Sequence, residues 1–388
     1  MDILYKVVSS PLSYALPFLF VLSLVVFFHE LGHFLVARWC GIRVLVFSIG
    51  FGSELFGFND RKGTRWKISA VPLGGYVKFL GDENAASVPD TAAAATMSAE
   101  DRAQSFFHKP VGARAAVVVA GPLANFLLAI VILAGVALIA GERTITPLPR
   151  VDEVMDNSAA SRAGFHVGDV VRSIDGQDIH TFADMQAIVS GSANRALKIV
   201  VDRDGGLVPL TATPTEDQGK TVLGIKHAKV TPEEVKIETV GPIEAVRYGV
   251  DQTWTIITST LSGILGIITF KESASQLGGP IMIAQLSHQV AAEGFIELLK
   301  LAALLSTSIG LLNLFPIPLL DGGHLLFYAI ETVRGRPLSE RAQEVGFRIG
   351  LAIVLVLMVL ATKNDITRGW FSDRTGDRPA ADGTGQQK

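Results

Sequence analysis

The chain has 388 residues, of which 49% are hydrophobic and only 18% are charged, and its mean hydropathy is +0.39. That balance excludes an ordinary soluble domain and points to a polytopic α-helical membrane protein. The formal net charge of -3, without a long basic run, leaves no footprint for nucleic acid, and Cys40 as the single cysteine excludes an internal disulfide.

Four stretches are long enough to cross a bilayer about 30 Å thick. The first, Leu12 to Trp39, is too long for a cleaved signal peptide and lacks an Ala-x-Ala site, so it is retained. It carries His29-Glu30-Leu31-Gly32-His33. On a helix, residues i and i+4 lie about 40° apart on one face, so both imidazoles can converge on one metal ion while Glu30 points at the metal-bound water. Ionisable groups at membrane depth are costly unless they bind something, and no basic residue before Arg38 compensates these. Cys40 reads as a small buried apolar residue, because a reactive thiol needs a paired base.

Between Gly41 and Gly81, β-branched and aromatic residues alternate with polar ones around a turn at Asn59-Asp60-Arg61-Lys62-Gly63, which predicts β-hairpins. Gly50-Phe51-Gly52 and Gly74-Gly75 mark bends or close backbone approaches. Two readings stand. One is an ordinary cytoplasmic sheet; the other is a membrane-associated hairpin whose strand around Val46 to Ile49, with Gly50, Phe51 and Gly52, pairs with extended substrate, since a transmembrane helix hides its peptide bonds until another backbone partner is offered. Glu83 to Asp101, rich in Ala, Ser and Asp, reads as a flexible linker.

The second span, Ala113 to Ala140, completes an N-terminal membrane core at 1–140. Its Ala120-Gly121-Pro122-Leu123-Ala124-Asn125 is rich in small residues, and close helix packing is preferred to catalysis as its role. Within 141–232, the run from Ser158 to Val171 followed by Ile174-Asp175-Gly176-Gln177 is similar to a PDZ domain, an α+β module of short strands with a helix from about Phe182 to Ser190. Leu223-Gly224-Ile225 is its candidate loop for a peptide C-terminus, with a plain glycine-containing strand as the alternative. In the connector 233–296, Glu244, Arg247 and Asp251 interrupt the apolar run Val240 to Phe270, which reads as a membrane-surface helix.

The third span, Glu297 to Ile330, opens a C-terminal membrane core at 297–362 and contains Asn313, Pro316, Pro318, Asp321, Gly322, Gly323 and His324. The prolines break the helix, which is tolerable at membrane depth only where the backbone lines a cavity. Asp321 is then the natural third zinc ligand, since zinc catalysis wants three protein ligands and one open position, with helix capping or packing as its alternative role and His324 as the rival ligand. His324, past the glycine pair, reads as an interior histidine. Gly346 to Ala361 is the fourth span, and 363–388 a flexible tail. Arg38, Arg43, Lys109, Arg114, Arg334, Arg336, Arg341 and Arg348 flank the spans on what is then the cytoplasmic side. The histidines lie toward that side, and both termini and the 141–232 module lie on the other.

The HExxH helix, the hairpin with Gly-Phe-Gly, the Asn-x-x-Pro-x-Pro-x-x-Asp-Gly segment from Asn313 and the four-span plan resemble the site-2 protease family of intramembrane zinc metalloproteases, in its bacterial regulator-of-sigma-E type with a single PDZ domain. The resemblance implies one zinc per chain on His29, His33 and Asp321, Glu30 as base and Asn313 near the substrate. It also implies a bacterial inner-membrane enzyme, periplasmic termini and PDZ-like domain, and single-span substrates such as anti-sigma factors already clipped outside. Two other classes remain in view: a membrane-anchored zincin acting on soluble or misfolded proteins, and a non-catalytic scaffold built on the PDZ-like domain.

Overall fold

The computed structural model describes residues 11–82, 97–145, 147–217, 220–227, 231, 235–271, 273 and 278–372. Two compact units emerge: residues 1–136 with 242–388, and residues 137–241.

The first unit begins with helix α1 (Pro11–Trp39), followed by strands β1 (Val44–Asn59) and β2 (Arg65–Phe79). Asp60 organises the turn between them. Its carboxylate accepts from the N–H groups of Lys62 and Thr64 and from the Trp66 indole, and it pairs with Arg38 at the end of α1. Burial alone would raise this carboxyl; those donors outweigh it and hold it at about 2. The register differs from a simple hairpin. Val46 to Ile49 pair on one side with Gly75 to Lys78 and on the other with Arg65 to Ile68, which pair in turn with Phe56 to Asn59. The stretch expected to present substrate is therefore interior to the sheet, and Gly75–Phe79 is an edge among the described residues. Gly50 and Gly52, with φ of +86° and +84°, bend β1 and let one strand pair twice.

Residues 83–96 of the expected linker lie outside the described residues. Its end is ordered: Ser98 caps the short helix α2 (Ala99–Gln104) by accepting from Asp101 N–H. Helix α3 (Val111–Ala140) follows. After the second unit come α6 (Pro242–Ile268), α7 (Pro280–Glu293), α8 (Phe295–Asn313), α9 (Asp321–Arg334) and α10 (Glu340–Ser372). Among the described residues, four helices are long and apolar enough to cross a membrane: α1, α3, α8 and α10. The chain is a polytopic membrane protein. The third span ends at Asn313 instead of continuing to Ile330, because Pro316 and Pro318 stop the helix and a separate amphipathic helix starts at Asp321. Likewise α10 runs through Ser372, so residues 363–372 of the expected flexible tail are helical; residues 373–388 lie outside the described ones.

Small residues set the helix contacts. A Cβ on Gly32 of α1 would strike the Ala120 carbonyl of α3, and one on Gly310 of α8 would come within 3.0 Å of Asn125 Cβ and 3.1 Å of the Pro122 carbonyl. Buried Asp365 of α10 accepts from the N–H groups of Gly279, Ile281 and Met282 at 2.9–3.1 Å, capping α7 where no side chain of its own does so. Helix α6, expected on the membrane surface, packs Ala245, Gly249 and Thr253 inward, with Gly249 against the α3 backbone at Ile130 and Ala134.

The second unit is built from β3 (Glu142–Ile145), β4 (Glu153–Val154), α4 (Ala159–Ala163), β5 (Val170–Ile174), β6 (Gln177–Asp178), α5 (Phe182–Ser190), β7 (Leu197–Arg203), β8 (Gly206–Ala212), β9 (Thr215–Asp217), β10 (Lys220–Val222), β11 (Ile225–Lys226) and β12 (Val235–Glu238). Strands β6-β5-β7-β8 form an antiparallel sheet, and β3 pairs with β12 to tie the ends of the segment together. Helix α5 falls where its sequence placed it because Thr181 and Asp184 form a reciprocal capping box. Phe165, Val171, Ile174, Leu197, Ile199 and Val201 fill the core.

Asp169, 1% exposed, is a buried charge of this unit. Arg203 donates to both its oxygens at 2.7 Å and His166 N–H donates at 2.9 Å. Burial alone would raise its pKa; the guanidinium fork and the amide outweigh burial and hold it below the usual carboxylate range. A carboxyl depressed on folding stabilises above its unfolded value of about 3.9 and loses that contribution as pH falls through the folded value. Amide hydrogen exchange of residues 151–212 in the intact protein is therefore expected to accelerate as pH falls below about 4, after correction for intrinsic rates. Asp169→Asn should accelerate it already at neutral pH, on the order of 3 kcal/mol of lost protection, since one partner of a buried pair is removed.

Candidate metal centre

His29 and His33 are one turn apart on α1, each 9% exposed, in a stretch of Val, Phe and Leu that keeps the helix apolar on every side. Asp321 is the first residue of α9. It is aimed by the loop before it: a Cβ on Gly322 would strike the carbonyls of Leu314 and Phe315, and one on Gly323 would lie 2.5 Å from the Ile317 carbonyl. Only glycines let the Pro316-Ile317-Pro318 segment fold back onto the start of α9. Leu319 takes up the remaining strain with φ +98°, a conformation that costs a branched side chain about 1–3 kcal/mol.

The three side chains meet. Asp321 Oδ2 lies 3.1 Å from His29 Nε2 and 3.5 Å from His33 Nε2, and the two Nε2 atoms are 3.2 Å apart. His33 Nδ1 donates to the Val117 carbonyl at 2.8 Å, so the neutral ring has its lone pair on Nε2. Asp321 Oδ2 is buried and accepts no hydrogen bond. Two imidazole lone pairs and an orphaned carboxylate oxygen directed at one point need a cation between them, and this N,N,O set within 4.8 Å fits zinc.

A cavity of about 220 Å³ adjoins the group, lined by Glu30, Gly75, Tyr76, Val77, Asn313, Leu319 and His324 among others. It has room for several waters beside the three side chains. Glu30 faces the β2 edge, where a Cβ on Gly75 would lie 2.9 Å from Glu30 Cγ. Asn313 Nδ2, at the end of α8, is 3.3 Å from His29 Nε2. The ring of His324 packs against Tyr328 and Phe347 and stands outside the metal group, as an interior histidine would.

Other expected site residues lie elsewhere. Gly50, Phe51 and Gly52 do not line the cavity; Phe51 stacks on Tyr76 and its ring fills the space over Gly74. Leu223, Gly224 and Ile225 belong to the second unit, where with Met155, Phe182 and Met185 they line a cavity of about 160 Å³. Gly224 there has φ +81°, and the Leu223 and Gly224 carbonyls are held by Ala160 and Met155 N–H at 2.8 Å.

Sequence reasoning missed the α3 contribution. Val117, Gly121 and Asn125 recur every four residues on the face toward the histidines. A Cβ on Gly121 would strike His33 Nε2 and lie 2.9 Å from His29 Cε1, while Asn125 Nδ2 is 3.3 Å from His29 Nδ1. The spacing was visible; its partner was not.

Comparison with known proteins agrees with this chemistry. The model of peptidase family M50 matches residues 17–357. Over 364 residues, covering 92% of this chain and 97% of the relative, the sequence is 50% identical to a Rhizobium meliloti protein named as a candidate zinc metalloprotease. It is 40% identical to metalloprotease MmpA of Caulobacter vibrioides, covering 90% and 94%. It is 33% identical to the regulator of sigma-E protease RseP of Salmonella typhimurium, covering 90% and 98%. With most of its length matched by the family model and two imidazoles and a carboxylate gathered among its membrane helices, the chain belongs to peptidase family M50, the site-2 proteases, and is a zinc metalloprotease.

Proposed function

We propose that this protein cuts single-span membrane proteins within or at the edge of the bilayer, using His29, His33 and Asp321 to hold its zinc and Glu30 as general base. The observation that carries the reading is the single cavity shared by Glu30, the three ligand side chains and the β2 edge. A bound zinc supplies Lewis acidity toward a peptide carbonyl and lowers the pKa of a water toward neutrality. Glu30 takes the proton from the attacking water and delivers it to the leaving amine. Asn313 donates its amide N–H to the oxygen on which negative charge develops. Leu319 and Leu320 line the cavity beside Asp321.

Substrate must arrive extended, and the strand Gly75–Val77, an edge of the sheet among the described residues, supplies the backbone partner that a helix needs before its peptide bonds open. Gly75 permits the close approach to Glu30. We assign 141–232 to a PDZ-like domain whose groove between α5 and Thr221–Ile225 takes an extended peptide end. Basic flanks favour the metal centre toward the cytoplasm of a bacterial inner membrane and the PDZ-like domain outside. Clipped anti-sigma-factor-like proteins suit this arrangement. A zincin for soluble substrates is disfavoured because its third ligand would not follow directly on a membrane span.

Purified full-length protein is expected to hold about one zinc, and His29→Ala, His33→Ala and Asp321→Ala should each lose most of it, whereas Glu30→Gln should keep it while cleavage of a single-span reporter falls by about 10²- to 10⁴-fold. Full zinc in the Asp321 variant would remove that residue from the ligand set.

Proline placed in turn at Tyr76, Val77 and Lys78 should slow reporter cleavage at one or more positions without releasing zinc, because proline deletes a donor from the edge. Proline within Val46–Ile49 should disrupt the sheet instead. Parental turnover in all three edge variants would make the edge ordinary scaffold.

A further inference from the structure

An imidazole that gives its Nε2 lone pair to a metal carries its proton on Nδ1, and a buried N–H needs an acceptor. His33 has one in the Val117 carbonyl. For His29 the group within reach of Nδ1 is the side-chain amide of Asn125, with Nδ2 at 3.3 Å. In the zinc-binding tautomer that places donor against donor. Asn125 is fully buried, and its Oδ1 is without a hydrogen-bond partner. The two ends of an amide have the same shape, so their assignment follows from the network. A half-turn of the amide brings Oδ1 opposite the His29 Nδ1–H; it leaves Nδ2 unpaired in place of Oδ1 and removes the donor-donor contact.

We propose that Asn125 is the positioning residue of His29: its carbonyl oxygen accepts from Nδ1–H, fixes the tautomer that presents Nε2 to zinc, and holds the ring in the plane the site needs. The inference rests on the reading of His29 as a zinc ligand. The geometry of α3 supports it. Val117 meets His33 and Asn125 meets His29, so two helices running in opposite senses align one acceptor with each histidine, and Gly121 between them leaves the space both rings occupy. Asn125 cannot swing away. Its backbone carbonyl accepts from Ser306 Oγ at 2.8 Å, and α8 closes on its Cβ at Gly310.

The test uses full-length protein in detergent, zinc alone as ligand, and graded chelator competition. Asn125→Asp keeps an acceptor and removes the donor; Asn125→Leu keeps the volume and removes both. The expected result is that Asn125→Leu loses zinc with about 10- to 100-fold weaker affinity, while Asn125→Asp holds it at least as tightly as the parent. The visible absorption of the cobalt-substituted protein should stay parental in the Asp variant and change in the Leu variant. Parental affinity in Asn125→Leu, or a loss in Asn125→Asp matching that in Asn125→Leu, overturns the proposal. If Asn125→Leu does not fold, Asn125→Asp decides alone: retained zinc supports the proposal and lost zinc overturns it. His29→Ala in the same series separates the two levels. Zinc retained there overturns the ligand reading itself; zinc lost there but kept by Asn125→Leu overturns only the role of Asn125.

Discussion

The structure depends on one unfavourable act, the burial of two imidazoles and a carboxylate among membrane helices, where an unpaired polar group costs several kcal/mol. That cost is offset only if a cation joins the three groups and each outward polar atom finds its own partner. His29 and His33 can be delivered by one helix because their spacing matches its turn. Asp321 cannot come from the same helix, and the second half of the membrane core is arranged to bring it in. Helix α8 stops at Asn313, two prolines turn the chain, Leu319 accepts a strained backbone, and two glycines let the next helix start against the loop that precedes it.

The same constraint accounts for the small residues on α3. Lipid offers helices no hydrophobic reason to associate, so close approach and hydrogen bonding must hold them. Gly32 against Ala120, Gly121 beneath the imidazoles and Gly310 against Asn125 bring α1, α3 and α8 near enough for backbone and amide groups to reach the histidines. The sheet comes close for a parallel reason. Gly75 lets a strand of the sheet pass Glu30 without side-chain interference, which puts peptide backbone beside the proposed base.

Much of this was legible in the residues. The HExxH spacing, the apolar lengths of the spans and the proline-interrupted segment ending in Asp321 are local signals, and local signals survive folding. The turn at Asp60 and helix α5 were readable for the same reason, since their caps lie within four residues of what they cap. Pairing partners were harder to read. Val46 to Ile49 have the composition of a strand, but that β1 pairs on two sides follows from the bend at Gly50 and Gly52, which composition does not encode. Asn125 was visible only as part of a small-residue run, and its contact with His29 spans 96 positions of sequence. The end of α8 at Asn313 was foreseeable from the prolines, whereas the fresh helix at Asp321 required knowing that Gly322 and Gly323 would be packed against backbone.

The most direct test of the central claim is X-ray absorption at the zinc edge of the purified full-length protein. The account predicts a first shell of nitrogen and oxygen at about 2.0–2.2 Å, with the outer-shell scattering of two imidazoles and no sulfur. A sulfur scatterer at about 2.3 Å, which only Cys40 or a methionine could supply, or a shell with fewer than two imidazoles, would contradict it.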